Sequence, residues 1–301
     1  MSESIQSTGY IGRFAPSPSG PLHFGSLVTA VASYLDARAH RGLWLIRMED
    51  LDPDREPPGA AGIILQQLAD YGMQSDQPVL YQSSRLAAYQ AALTTLQDRH
   101  LCFSCGCSRQ QVREMGAIYD GTCRFHPPKA GKKVAIRIAV PDQLIEFNDL
   151  IQGVRHYHLA KETGDFIVRR KDGLFAYQLA VVVDDAYQNI THIVRGCDLM
   201  DSTPRQMFLQ SCLGYPSPVY GHVPVITNEL GQKLSKQHFA DPVSRSERRS
   251  ILHAAIRFLG QNPPRKHHEL GVSEQLDWAI EHWDIQAIPK LATIPQHGLP
   301  L

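Results

Sequence analysis

Arg13-Phe14-Ala15-Pro16-Ser17-Pro18-Ser19-Gly20-Pro21-Leu22-His23-Phe24-Gly25-Ser26-Leu27 is the stretch on which the fold turns. A short apolar strand entry at residues 10–14 runs into a Pro/Ser/Gly-rich loop. The tetrad His23-Phe24-Gly25-Ser26 then opens an apolar run with helical spacing. Strand, tight loop and helix start together bring backbone N–H groups and a helix N-terminus against phosphate. A second motif, Gly231-Gln232-Lys233-Leu234-Ser235-Lys236, places two lysines in a loop far downstream.

Outward from the first stretch, residues 22–41 have helical length, with Leu22, Leu27, Val28, Val31 and Leu35 apolar and Gly42 to end the helix. Residues 43–48 read as a short strand, and residues 60–71 and 85–99 as helices. Strands alternating with helices predict an α/β fold with a parallel sheet and crossover helices. From about residue 101 to 170 the pattern changes to cysteines, a Pro/Lys-rich linker at 127–133 and alternating runs such as 133–140, which predicts an insertion. Residues 175–183 read as a near-continuous apolar strand ending in Asp184-Asp185. A strand at 192–195, a helix at 203–213 with Pro204 in its first turn, and a strand at 223–227 lead to the lysine motif. Helices follow residue 241, clearest at 246–259, and the Pro-rich tail from residue 289 reads as irregular. The expected division is residues 1–100 and 171–240 as two halves of one catalytic domain, 101–170 as the insertion, and 241–301 as a short helical region.

A chain of 301 residues has room for a sizeable core and more than one structural unit. Its 43% hydrophobic and 20% charged content is that of a globular enzyme. No run approaches the 18 or so apolar residues of a membrane span, and the first residues lack a signal-peptide pattern. The expected address is the cytoplasm, and with no exposed apolar heptad a monomer is expected. Thirty basic residues balance thirty acidic ones, so composition alone does not announce a nucleic-acid binder. Locally, residues 99–137 carry eight Lys or Arg against Glu114 and Asp120, a segment that could face phosphate.

Four of the six cysteines crowd into Cys102, Cys105, Cys107 and Cys123, a pattern that reads as metal before disulfide. Cys197 and Cys212 are isolated and read as small buried hydrophobes. Cys105, Cys107 and Cys123 supply three soft ligands, and tetrahedral zinc needs a fourth. Tyr119, His126 and Cys102 are the candidates. Donor chemistry alone favours His126 or Cys102, because phenolate is an uncommon zinc ligand.

The two loop motifs, in this order with an α/β pattern between them, resemble the HIGH and KMSKS signatures of class I aminoacyl-tRNA synthetases, in wording that is glutamate-type. Arg47-Met48-Glu49-Asp50-Leu51-Asp52-Pro53-Asp54-Arg55 is similar to the family's R-[IM]-E-D-T-D-P-x-R block, with Leu51 for the usual Thr. Tyr177-Gln178-Leu179-Ala180 with Val183-Asp184-Asp185 resembles Y-H-L-A-x-V-V-D-D. Residues 190–199 resemble I-T-H-V-I-R-G-E-D, with Cys197 in place of Glu and Ser202-Thr203-Pro204 following. The resemblance covers roughly residues 10–240.

It implies a Rossmann-type catalytic domain that joins a carboxylate to the α-phosphate of ATP, used with magnesium. A carboxylate is already ionised at neutral pH, so such a site needs positioning and positive charge rather than a nucleophile. Catalytic roles then fall to His23, Lys233 and Lys236, and ATP contacts to His23, Gly25, Ser26 and Lys236. Gly25 would let backbone approach the nucleotide. The L-glutamate pocket would comprise Arg13, Phe14, Ala15, Pro16, Ser17, Glu49, Tyr177 and Arg195. Guanidinium forks suit its carboxylates and an acid suits its ammonium. The resemblance of residues 118–123 to short glutamate-type members implies that Tyr119 completes a structural zinc site with Cys105, Cys107 and Cys123, holding an acceptor-binding insertion.

Only 65 residues follow Lys236, with seven basic and seven acidic side chains, which leaves no room for the family's anticodon-reading region. The short form implies an unusual acceptor, queuosine at the wobble position of tRNA(Asp), whose anticodon loop would enter the cleft. Charging of tRNA(Glu) by a truncated enzyme, or ligation of glutamate to a small molecule, are the alternatives.

Overall fold

The computed structural model describes residues 9–116, 118–228, 233 and 242–295. The first half runs β1 (Ile11–Phe14), α1 (Phe24–Ala39), β2 (Leu43–Met48), α2 (Ala60–Asp70), β3 (Leu80–Tyr81) and α3 (Leu86–Asp98). β1, β2 and β3 are parallel neighbours in that order, with Ile11 opposite Leu43 and Arg47 opposite Leu80.

The middle of the chain is antiparallel. It comprises β4 (Cys102–Cys105), α4 (Arg109–Glu114), α5 (Thr122–Phe125), β5 (Ala135–Ile138), β6 (Leu144–Asp149), β7 (Gly153–His158), α6 (Leu159–Glu162) and β8 (Phe166–Arg169). β4, β5 and β8 form one small sheet, and β6 with β7 a hairpin. The parallel architecture resumes with α7 (Tyr177–Tyr187), β9 (His192–Gly196), α8 (Thr203–Leu213) and β10 (Val219–Val223). β9 and β10 are parallel, and Thr191 N–H donates to Ile11 O (2.9 Å), which lays β9 beside β1 on the side away from β2. The end of the described chain holds β11 (Val225–Thr227), α9 (Arg248–Phe258), α10 (Val272–Glu281) and β12 (Thr293–Pro295).

Three expectations need correction. Residues 175–183 contribute to α7, not to a strand; an apolar run of that length fits a buried helix as well as a buried strand by periodicity. The expected strand at 223–227 is two, β10 and β11, interrupted at Pro224, which has no N–H for a ladder. The Pro-rich tail is not wholly irregular, because Thr293–Pro295 pairs in parallel with β11, Thr227 opposite Pro295.

α1 is the spine of the largest core. Leu27, Val28, Ala30, Val31, Ala32 and Leu35 are all at most 1% exposed, because the sheet covers one side of the helix and α9 and α10 the other. Leu252, Ala255, Ile256, Leu276 and Ala279 supply that second cover. The C-terminal helices thereby fix the helix whose N-terminus faces the site.

Candidate active site

A cavity of about 580 Å³ opens at the carboxyl ends of β1, β2 and β9. The strand order changes direction between β1 and β9, and open α/β sheets present their ligand crevice at such a switch point. Arg13, Phe14, Ala15, Pro16, Ser17, His23, Gly25, Ser26, Glu49, Tyr177, Arg195 and Lys233 all line this one cavity. Lys236 lies outside the described residues.

At one end sits a buried charge cluster. Asp185 on α7 receives Arg13 Nε (3.2 Å) from β1 and Arg47 Nη1 (2.8 Å) from β2. Burial alone would raise its carboxyl, but these two guanidiniums outweigh that and hold it below the ordinary carboxylate range. Glu49 shows the opposite balance. Its side chain is 8% exposed, and burial outweighs Arg47 and Arg13 to push its carboxyl up. Arg47 Nη2 approaches Glu49 Oε1 to 3.5 Å as an ion pair, yet neither atom has a hydrogen-bond partner among the described residues. Glu49 lines the cavity, while its Oε1 is buried against Arg47 without a donor, an exception to the usual pairing of buried polar atoms.

Arg195, 3% exposed on β9, is bonded to protein through each of its three nitrogens. Its Nε donates to His222 Nε2 (3.1 Å), Nη1 to Gln206 Oε1 (2.8 Å) and Nη2 to Thr203 Oγ1 (2.8 Å). Gln206 in turn donates to Gln178 Oε1 (3.0 Å), and Tyr177 opens α7 beside it. The Tyr177 hydroxyl is raised by burial, against the favourable charge of Arg195.

His23 is the N-cap of α1, with extended backbone (φ −103°, ψ 171°). Its Nδ1 accepts from Ser26 N–H (3.2 Å), while Ser26 Oγ accepts from His23 N–H (2.9 Å), a reciprocal capping box. An accepting Nδ1 leaves the proton of the neutral ring on Nε2. Gly25 has a nearer neighbour than nucleotide, since a Cβ there would lie 3.2 Å from His23 Cε1 and Nδ1. Its lack of a side chain makes room for the imidazole. Lys233 is paired with Asp198, both partly exposed on the cavity's rim.

A second cluster lies in the antiparallel region. The sulfurs of Cys105, Cys107 and Cys123 lie within 4.8 Å of one another, and Cys107 and Cys123 are 3.5 Å apart, too far for a disulfide. Tyr119 Oη is 3.6 Å from Cys105 Sγ and 3.9 Å from Cys107 Sγ, and accepts from Cys123 N–H at 2.8 Å. Ligands at the zinc–sulfur bond length would stand about 3.8 Å apart around a tetrahedron, so the three sulfurs could share one ion, with Tyr119 Oη beside them. Burial raises the Cys105 thiol, but Arg137 and the neighbouring donors prevail and lower it. Cys102 is not part of the group. It packs with the second hydrophobic cluster, where burial and nearby Cys212 push its thiol up to about 12. His126 is exposed.

The basic segment is less uniform than its composition. Arg124 is paired with Asp165, Arg137 is buried over the Tyr119 ring, and Arg99 is bonded to Cys212 O. Arg109, Arg113, Lys129, Lys132 and Lys133 are exposed. Cys212 is buried as expected, whereas Cys197 is half-buried, with its thiol 3.3 Å from His222 O.

Sequence reasoning gave no role to Arg47, Asp185, Gln206 or His222. Arg47 and Asp185 stand inside quoted motifs, which was signal enough. Gln206 and His222 belong to no motif and emerge only from the fold.

A family model described as "tRNA synthetases class I (E and Q), catalytic domain" matches residues 11–270, and the chain belongs to that family. It is 50% identical over 292 residues to a protein of Pseudomonas aeruginosa named glutamyl-Q tRNA(Asp) synthetase, covering 97% of this chain and 99% of that one. A protein of the same name from Thiobacillus denitrificans is 53% identical over 285 residues, covering 93% and 95%. Among solved structures, a glutamate tRNA ligase from Elizabethkingia meningosepticum, crystallised with its amino acid, superposes with a TM-score of 0.79 at 23% identity. That match covers 95% of this chain and 66% of the other, and it shows a shared fold. No helix among the described residues is long and apolar enough to cross a membrane.

Proposed function

We propose that this protein activates L-glutamate with ATP and transfers it to queuosine at the wobble position of tRNA(Asp). The observation that carries the glutamate reading is the charge pattern of the cavity: Arg13, Arg195 and Glu49 together line its wall. A molecule with two carboxylates and one ammonium matches that pattern. The acceptor reading rests on the relatives that share half their residues with this chain over almost its whole length.

In the first step a glutamate α-carboxylate oxygen attacks the α-phosphorus of ATP, the bond to the β-phosphate oxygen breaks, and pyrophosphate leaves. No proton moves. Arg13 and Arg195 orient the carboxylates, Glu49 receives the ammonium, and His23 Nε2–H donates to phosphate oxygen at the N-terminus of α1. Gly25 and Ser26 support His23, while Lys233 and Lys236 counter the charge of the departing pyrophosphate, with magnesium carried in on ATP. Leu199, Pro224, Val225 and Ile226 give the far end of the cavity an apolar wall suited to a flat base. In the second step a hydroxyl of the queuosine cyclopentene diol attacks the acyl carbon, AMP leaves, and the hydroxyl proton departs to phosphate or solvent.

The residues divide as 1–100 and 171–240 for catalysis, 101–170 for acceptor contact and 241–301 for support. Cys105, Cys107, Cys123 and Tyr119 would hold one zinc ion that braces the insertion. Metal analysis of protein purified without chelator should find close to one zinc per chain, and a Cys107→Ser variant much less. A ratio near zero in the parent protein removes zinc from the reading.

Labelled glutamate should pass to tRNA(Asp) that carries queuosine and not to the same tRNA lacking it. Equal labelling of unmodified tRNA(Asp) would sink the queuosine assignment. Labelling of tRNA(Glu) instead would favour a conventional charging enzyme.

A further inference from the structure

We propose that Asp149 and His222 form a buried positioning relay that sets the guanidinium plane of Arg195 for the amino-acid substrate, tying the β6–β7 hairpin to the pocket. The inference rests on the proposed role of Arg195 as a glutamate ligand.

All three side chains are at most 3% exposed. Asp149, the last residue of β6, points both carboxylate oxygens at His222. Oδ1 accepts from the His222 backbone N–H (3.1 Å) and Oδ2 lies 2.5 Å from Nδ1. On the ring's other edge, Nε2 faces Arg195 Nε at 3.1 Å. A guanidinium can only donate, so Nε2 must accept and the ring's proton must sit on Nδ1, where the carboxylate takes it. The chain has one consistent direction: Arg195 donates to His222, and His222 donates to Asp149.

Register puts these groups together. His222 on β10 lies directly opposite Arg195 on β9. The hairpin end is clamped to β10 by Leu150 N–H to Tyr220 O (2.8 Å) and Gln152 Nε2–H to His222 O (2.9 Å). Asp149 therefore carries the position of the hairpin, within the segment expected to meet the acceptor, to an arginine of the amino-acid pocket.

The relay also limits the ring's charge. Protonation would put an N–H on Nε2 against Arg195 Nε–H, two donors face to face. The groups facing the ring are Asp149 from β6, Arg195 from β9, Asp198 from the turn after β9, Thr203 from α8 and the Tyr220 ring at 6.3 Å. Burial leads in holding His222 below the ordinary imidazole value. Arg195 acts in the same direction, while Asp149 and Asp198 oppose it. Once His222 protonates, Arg195 loses its acceptor.

Asp149→Asn is the first test. The amide can keep Oδ1 as acceptor for the turn, but its NH2 must donate to Nδ1, which moves the ring proton to Nε2 and sets it against Arg195. In glutamate-dependent ATP–pyrophosphate exchange the KM for glutamate should rise about 10-fold, the lower end of what one hydrogen bond to a charged group contributes, with the KM for ATP unchanged. Nitrogen NMR of the His222 ring should show protonated Nδ1 in the parent and protonated Nε2 in the variant. His222→Gln supplies a carbonyl oxygen for Arg195 but no titration. It should lose the part of the acid-side KM rise that His222 contributes, leaving the part due to Glu49.

An unchanged glutamate KM in folded Asp149→Asn, an equal rise in both KM values, or a parent ring protonated on Nε2 would each overturn the relay. Should Asp149→Asn fail to fold, the pH profile of His222→Gln decides: a profile identical to the parent's rejects the inference. No glutamate-dependent exchange by the parent protein would reject the glutamate reading instead, and the ring tautomer would still test the relay.

Discussion

Asp185→Asn is expected to lose about 3–5 kcal/mol of folding stability, the usual result of removing one partner from a buried ion pair. The carboxylate serves two guanidiniums at once, Arg13 and Arg47, at 3.2 and 2.8 Å. Arg47 is completely buried, and its other acidic neighbour, Glu49, stands off at 3.5 Å without a hydrogen bond. Asparagine keeps the size and one acceptor oxygen, but leaves two cations facing each other across a neutral amide. Against a typical total of about 5–15 kcal/mol, the melting temperature should fall by on the order of 10 °C. Because Asp185 is held below its ordinary value of 3.8, its contribution is fully present above that pH and is lost as pH falls through the depressed value. The variant should therefore lose part of the parent's acid sensitivity. A loss below about 1 kcal/mol in thermal or urea unfolding would show that the two arginines do not depend on this carboxylate.

Glu49→Gln is expected to raise the KM for glutamate roughly 10- to 100-fold while leaving the protein as stable as before or more so. A hydrogen bond to a charged group contributes about 1.5–3 kcal/mol, and each 1.4 kcal/mol is a factor of ten. The stability side has the opposite sign to that of Asp185. Burial raises the Glu49 carboxyl above 4.5, so ionising it opposes folding, and that cost grows as pH rises through the raised value. Glutamine cannot ionise and removes the cost. For substrate the need is reversed, because only the carboxylate attracts ammonium. The parent's glutamate affinity should begin to fall, on acidification, at a higher pH than for an exposed glutamate. Exchange kinetics with varied glutamate, paired with a melting curve, separate the two effects. An unchanged KM would remove Glu49 from the substrate's reach.

How much was legible depended on what each residue type announces locally. α8 could be bounded by eye, since Pro204 suits a first turn and Gly214 takes the left-handed conformation after the last (φ 72°). α1 and β2 were as plain. α7 was not, and the error hid more than an element. On a strand Asp184 and Asp185 would point to opposite faces. On the helix they diverge by about 100°, so Asp184 meets Gln82, Arg85 and Tyr89 while Asp185 meets Arg13 and Arg47. The motif residues of the cavity were legible because each carries chemistry in its name. His222 and Gln206 were not, since their use comes only from strand register and helix phase. Cys102 illustrates the reverse: sequence proximity to Cys105 suggested a shared site, but alternation along β4 separates the two.

The double duty of His23 has a consequence for anyone who would stabilise this protein. Its backbone and Nδ1 close the first turn of α1, the spine of the largest core, work that serine, asparagine or aspartate does better. A selection for heat resistance alone would drift toward those residues and gain up to about 1 kcal/mol. It would also discard the ring whose Nε2–H is proposed to meet phosphate. At this position durability and turnover pull toward different amino acids, and an imidazole is a compromise that only the reaction can justify.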